Sequence, residues 1–126
     1  MALPALGFPP ERRIRKRADF RAVYDGGVRV GTRLFSVFVR ITGSGQPGRI
    51  GLTVTRRLGN AVARNRCKRL LREAVRKHWS LVPDGVDMVL HARPGLAGAQ
   101  SGEVENAIVR MLPKAVRRLG RDRRTP

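Results

Sequence analysis

Apolar positions along this chain switch between two periods, and the switches mark out its elements. From residue 34 to 41 the period is two, with Phe35, Val37, Val39 and Ile41 on one side and Leu34, Ser36, Phe38 and Arg40 on the other. That is the pattern of a strand with one buried face. Residues 49–56 alternate again, Ile50, Leu52 and Val54 against Arg49, Gly51, Thr53 and Thr55. Between these runs lies the turn-rich Gly43-Ser44-Gly45-Gln46-Pro47-Gly48, so the pattern predicts a hairpin. A third run, 86–93, sets Val86, Met88, Leu90 and Ala92 against Asp87, Val89, His91 and Arg93, bounded by Pro83-Asp84-Gly85 and Pro94-Gly95.

The helical period appears three times. Phe20, Val23 and Tyr24 recur at i, i+3, i+4, with Asp19 in the first turn and Gly26-Gly27 as a stop. Asn60 is a good N-cap for a second helix predicted to run to about His78. Val104, Ala107, Ile108, Met111, Leu112, Ala115, Val116 and Leu119 form an unbroken stripe in a third. Ser101 can cap it, Glu103 and Glu105 suit its positive end, and Pro113 is expected to kink or restart it. Residues 1–15, with three prolines and the start of a basic run, read as an extended, flexible basic N-terminal arm. Residues 120–126 read as a basic tail, leaving 16–119 as one α+β domain.

Charge changes this picture from a fold to a class of partner. The 126 residues carry 27 Lys plus Arg against 9 Asp plus Glu, a formal net charge of +18. Such an excess repels itself when compact and seeks polyanions, which makes nucleic acid the leading partner. No apolar run approaches the ~20 residues of a membrane span, and the first ten residues lack a positive n-region. The lone Cys67 allows no internal disulfide and no Cys-based metal site. A cytoplasmic protein is expected.

The densest charge lies between residues 56 and 77, nine basic residues with one acid. At 100° per residue, Ala63, Cys67, Leu70, Leu71, Ala74 and Val75 share an apolar stripe, while Asn65, Lys68, Arg69, Arg72 and Arg76 line a neighbouring one. Glu73 alone can pair locally, with Arg69 or Lys77, so the other cations are left to an external anion. Arg64 falls at the border of the apolar stripe and Arg66 on the opposite flank; with Asn65 they splay from the first turns, where free N–H groups also favour phosphate.

On the polar side of the first strand, Phe38 and Arg40 lie beside the small residues Gly51, Thr53 and Thr55. Phe38 is open to two readings: a platform for an unpaired base, or a ring covered by the first helix through Phe20 and Tyr24. A cleft lined by all three rings combines them. Catalytic groupings are missing: no carboxylate pair, no His-rich metal spacing, and no acid–base partner near His91 in sequence, with His78 expected to cap or pack. Composition alone would suit a structural RNA-binding protein such as a ribosomal component; a nuclease active by itself is disfavoured.

The run Arg56-Arg57-Leu58-Gly59-Asn60-Ala61-Val62-Ala63-Arg64-Asn65-Arg66-Cys67-Lys68-Arg69-Leu70-Leu71-Arg72-Glu73 resembles the bacterial ribonuclease P protein component. So do Arg49-Ile50-Gly51-Leu52-Thr53-Val54-Thr55, Asp19-Phe20 with Tyr24 and Gly27, and Val89-Leu90-His91-Ala92-Arg93, so that the likeness spans about residues 12–119. It implies a single-domain α/β sandwich in the order αβββαβα, with an extra short strand near Arg29-Val30. It further implies a four-stranded sheet and a left-handed βαβ crossover around the basic helix, against the usual right hand.

In that family the protein does not cleave; a large RNA subunit with bound magnesium releases the 5′ leader of precursor tRNA. The resemblance therefore implies no catalytic residue in the protein, and magnesium held mainly by the RNA subunit. It sets Arg57, Arg64, Asn65, Arg66, Lys68, Arg69, Arg72 and Arg76 against the catalytic RNA, and Phe20, Tyr24, Phe38 and Arg40 along the leader. The implied partners are the catalytic RNA and precursor tRNA, with no membrane and no obligate protein partner. This chain departs from the family pattern in having Cys67 in place of a larger aliphatic residue, Arg56-Arg57 in place of Lys-Lys, and His91 where an aliphatic residue is expected.

Overall fold

The computed structural model describes residues 8–124, with side chains through residue 120. Helix α1 (Arg17–Gly26) leads to strands β1 (Val28–Gly31), β2 (Phe35–Ile41) and β3 (Arg49–Thr53). Helix α2 (Ala61–Arg76), strand β4 (Val86–Ala92) and helix α3 (Ser101–Arg124) complete the order αβββαβα. The strands form one mixed sheet in the order β1-β2-β4-β3, antiparallel except for the parallel β3–β4 pair that α2 connects.

The predicted hairpin between the strands at 34–41 and 49–56 is therefore wrong, because β4 lies between them. Residues 86–90 of β4 are buried on both faces, as a central strand requires. The turn-rich segment folds onto the turn before β4, with Thr42 N–H donating to the Gly85 carbonyl and Gly85 N–H to that of Gln46. It carries the chain past β4 to the sheet edge.

The period-two pattern decides which side chains meet which helices. Phe35, Val37, Val39, Ile50, Met88 and Leu90 are fully buried on the face covered by α2 and α3, where they join Cys67, Leu71, Val75, Leu96, Ile108 and Leu112. The opposite face is covered in part by α1, through a smaller cluster of Ile14, Val23 and Val89 with Phe20, Tyr24 and Phe38 against it. The two helices of the main face are further joined where His78 Nε2 lies 2.8 Å from Glu105 Oε2.

Local details depart from the sequence expectation at several ends. Asn60 caps α2 as expected, accepting from Ala63 N–H at 2.9 Å, but the helix ends at Arg76. Glu103 reaches back to the Gln100 N–H at 3.1 Å, so Gln100 rather than Ser101 takes the cap position of α3. That helix runs through Pro113 without restarting. The ladder bond Pro113 cannot make would have gone to Val109, which is 43% exposed, so the loss falls on the solvent side.

The boundaries drawn at residues 15 and 120 fall within ordered chain. Phe8 and Ile14 are buried, Ile14 N–H donates to the Ile50 carbonyl at 3.0 Å, and the Phe8 ring meets Trp79 edge-on at 4.8 Å. Arg12 lies over the Trp79 ring at 4.2 Å and donates from Nε to Gly48. This segment covers the outer edge of β3, while residues 1–7 of the expected arm lie outside the described residues. At the other end, α3 extends to Arg124, absorbing most of the expected tail.

Candidate nucleic-acid interface

On the α1 side of the sheet the register builds three cross-strand rows. One is Arg40–Asp87–Arg49, the next Arg29–Phe38–Val89–Gly51, and the third Gly31–Ser36–His91–Thr53. Helix α1 is fastened over the first two. Arg49 grips the buried Asp87 carboxylate with two bonds, 2.9 and 2.7 Å, and its other Nη lies 3.6 Å from Asp19 of α1. That double partner holds the Arg49 guanidinium pKa above its usual value, mainly through the Asp87 hydrogen bond. Phe20 lies directly on Gly51, where a Cβ would come within 2.7 Å of the ring.

Helix α1 reaches the third row only through the Tyr24 hydroxyl, and Ser36 and His91 of that row line a cavity of about 450 Å³. Tyr24, Phe38 and His91 form its aromatic wall, Ser36 and Thr55 add hydroxyls, and Arg29, Arg57 and Arg93 ring it. Among the described residues no carboxylate lines it. Tyr24 and Phe38 meet edge-to-face at 4.7 Å, and the Arg29 guanidinium lies 5.9 Å from the Phe38 ring centre. Tyr24 Oη is 2.9 Å from Thr53 Oγ1 and 2.8 Å from His91 Nδ1, so the end of α1 is tied to both β3 and β4. Burial raises the Tyr24 pKa; burial, then the nearby Arg29 and Arg57 charges, lowers that of His91. Aromatic faces ringed by guanidiniums suit an unpaired nucleotide, with the ring against the base and the cation against the phosphate.

The second surface is α2. Asn65, Arg69 and Arg72 come together with Glu73 along a shallow groove of about 260 Å³, as the helical spacing predicts. Gly59, at φ 121°, a conformation that favours glycine, turns the chain from the Arg56–Leu58 turn into this helix. Glu73 pairs with Arg76 at 2.9 Å rather than with Arg69 or Lys77, which holds its carboxyl below the usual range.

Other predicted residues are placed differently. Arg66 donates to the carbonyls of Ala97 and Ala99 at 3.0 and 2.7 Å, bracing the Pro94–Gly98 turn that walls the cavity. Arg64 packs toward the protein with its Nε buried and without a protein partner, while Lys68 is half-buried on the helix flank. Arg57, grouped by resemblance with the helix cations, stands at the cavity instead. Phe20 and Arg40 do not line it: Phe20 is packed on Gly51, and Arg40 lies against Gly26.

The cavity also gains residues the sequence did not single out. Arg29 belongs to a four-residue strand too short for periodicity to reveal, whereas Arg93 and Thr55 were visible on the polar sides of their runs. His91, without a partner in sequence, finds Tyr24 across 67 positions.

The family model for Ribonuclease P matches residues 8–116. The chain belongs to the bacterial ribonuclease P protein family. It is 34% identical over 103 residues to the Ribonuclease P protein component of Brevibacillus brevis, covering 82% of each chain. With that of Kocuria rhizophila it shares 37% over 110 residues, 87% of this chain and 96% of the other. The fold agrees with the solved RNase P protein of Staphylococcus aureus (TM-score 0.76, 33% identity, 82% and 94% covered). It agrees likewise with that of Thermotoga maritima (TM-score 0.72, 29% identity, 81% and 96% covered). A ribonuclease P protein component is part of a ribonucleoprotein endoribonuclease and implies an RNA subunit as partner. Among the described residues no helix is long and apolar enough to cross a membrane.

Proposed function

We propose that this chain assists a catalytic RNA in removing the 5′ leader from precursor tRNA in the cytoplasm, the α2 face holding the RNA subunit and the cavity holding the single-stranded leader. The observation that carries this reading is the separation of two cation-rich surfaces on one domain. One is a helix face of Asn65, Arg69 and Arg72 with Lys68 half-buried on its flank; the other is an aromatic cavity ringed by Arg29, Arg57 and Arg93. A protein that only bound folded RNA would have use for the first and none for stacking rings beside guanidiniums.

Among the described residues neither surface brings together a carboxylate pair or a carboxylate with an imidazole, so the reading leaves bond cleavage to the RNA. Donor chemistry bears on magnesium in the same way. Cationic side chains dominate both surfaces, and Glu73 on the helix is already paired with Arg76, a set that suits phosphate oxygens and not a divalent cation. Magnesium therefore belongs on RNA phosphates, and the protein acts by screening phosphate repulsion and fixing the leader's position.

The test is cleavage of precursor tRNA by the matching RNA subunit at low magnesium. Adding the protein is expected to restore cleavage at the correct bond. No gain in rate would overturn the reading, and tight binding to ribosomal RNA with no preference for precursor over mature tRNA would replace it with a structural RNA-binding role.

A further inference from the structure

The cavity contains one group that phosphate binding and ring stacking do not use. His91 is fixed on one side only: Nδ1 lies 2.8 Å from Tyr24 Oη, and no protein partner for Nε2 exists among the described residues. The ring lines the cavity beside Phe38, with centroids 6.5 Å apart, so a base stacked on Phe38 presents its edge to the imidazole. Tyr24 has a single hydroxyl proton, and it is donated to Thr53 Oγ1 at 2.9 Å. With the hydroxyl proton so placed, the phenol oxygen accepts from Nδ1–H, and the tautomer that fits is the neutral imidazole with a lone pair on Nε2.

We propose that His91 is a specificity-determining residue, its Nε2 accepting a hydrogen bond from the edge of the leader base held at Phe38. It thereby favours a base with an amino group there, adenine or cytosine, over one with a keto oxygen, guanine or uracil. The inference rests on the leader-binding reading of the cavity. A keto oxygen facing a lone pair leaves two acceptors opposed and unhydrated, the arrangement that site polarity rejects most strongly. Thr53, Tyr24 and His91 form a chain that crosses from β3 through α1 to β4, so the acceptor is oriented by three separate elements.

Protonation supplies a signature that packing alone does not. An imidazolium offers a proton on Nε2, so the preference for amino over keto bases should fade once His91 is charged. The groups facing it are Tyr24 on α1, Arg29 on β1, Arg57 before α2 and Arg93 after β4; the three cations oppose its protonation. The change is therefore expected below the ordinary imidazole range.

The experiment uses the reconstituted RNA–protein holoenzyme and precursor tRNAs in which each leader position carries A, C, G or U in turn. For the unmodified protein we expect about a fivefold preference for A or C over G or U at one leader position, the factor expected of one neutral hydrogen bond. The preference should decline as the pH falls below the ordinary imidazole value. In H91L it should vanish at that position at every pH. Y24F, which keeps the ring but removes the hydroxyl that orients His91, should blunt the preference and leave His91 in place.

A base preference unchanged in H91L, or one that does not vary with pH, overturns the role of His91. Absence of any base preference does the same while leaving leader binding intact. Loss of the precursor-over-mature ratio in the unmodified protein is a different result, since it removes the leader from the cavity altogether.

Discussion

Arg66 Nη2 donates to the Ala99 carbonyl at 2.7 Å, and Nη1 reaches Ala97 at 3.0 Å. One cation of the Arg64-Asn65-Arg66 run thus braces the chain between β4 and α3, although its spacing alone gives it to RNA. Arg69, on the groove beside Asn65, makes no such contact with backbone among the described residues. R66A is therefore expected to lower stability by about 1 kcal/mol, two charge-assisted bonds discounted for their exposure. R69A should leave the melting temperature nearly unchanged and weaken RNA-subunit binding, with a shallower salt dependence. Thermal melts paired with binding isotherms at several salt concentrations separate the two.

Asp87 is 2% exposed and both its oxygens are held by Arg49. R49M strands that carboxylate beneath α1, where an unpaired buried charge costs about 3 kcal/mol or more. The expected result is a large fall in urea midpoint, with substantial recovery in the double variant R49M/D87N. Equal losses in the single and double variants would show that the pair is not the cause.

Phe20 of α1 and Phe38 of β2 lie on the same side of the sheet, with different work to do. The Phe20 ring covers Gly51, whereas Phe38 lines the cavity. F20A should destabilise by about 3 kcal/mol, as a large-to-small change under a helix does. F38A should instead reduce discrimination between precursor and mature tRNA by about 1–3 kcal/mol, the range for a stacked base. An unaltered affinity ratio in F38A would mark Phe38 as a packing residue.

His91 also makes a stability prediction. Its pKa is lowered on folding, so the folded state binds its proton less readily than the unfolded chain does. The resulting stabilisation is present above the ordinary imidazole value and is lost as pH falls through the lowered one. Between pH 7 and 5 the unmodified protein should lose more melting temperature than H91L. Parallel curves for the two would contradict that sign.

Much of the interface was legible in one dimension because its parts are local. Helix spacing alone brings Asn65, Arg69 and Arg72 into one groove, and strand alternation puts Phe38 opposite the core-facing Val37 and Val39. Alternation also set Arg49 and Asp87 on the polar sides of their strands, yet gave no hint that they pair. That contact needs β3 beside β4, and no periodicity specifies which strands are neighbours.

The amino-acid sequence by itself determined the partner class, the elements and the faces each presents, since charge and period are properties of residues a few positions apart. Tertiary structure decided the strand order, the packing of Phe8 and Ile14 at the edge of β3, and the use of Arg66 as a brace. It also made the cavity, because Arg29, Arg57, His91 and Tyr24 converge only when β4 enters between β2 and β3 and α1 reaches the third row through Tyr24 alone. Long-range pairing is chosen by the burial of whole faces. The sequence states which residues must be buried, and only the folded chain shows what they are buried against.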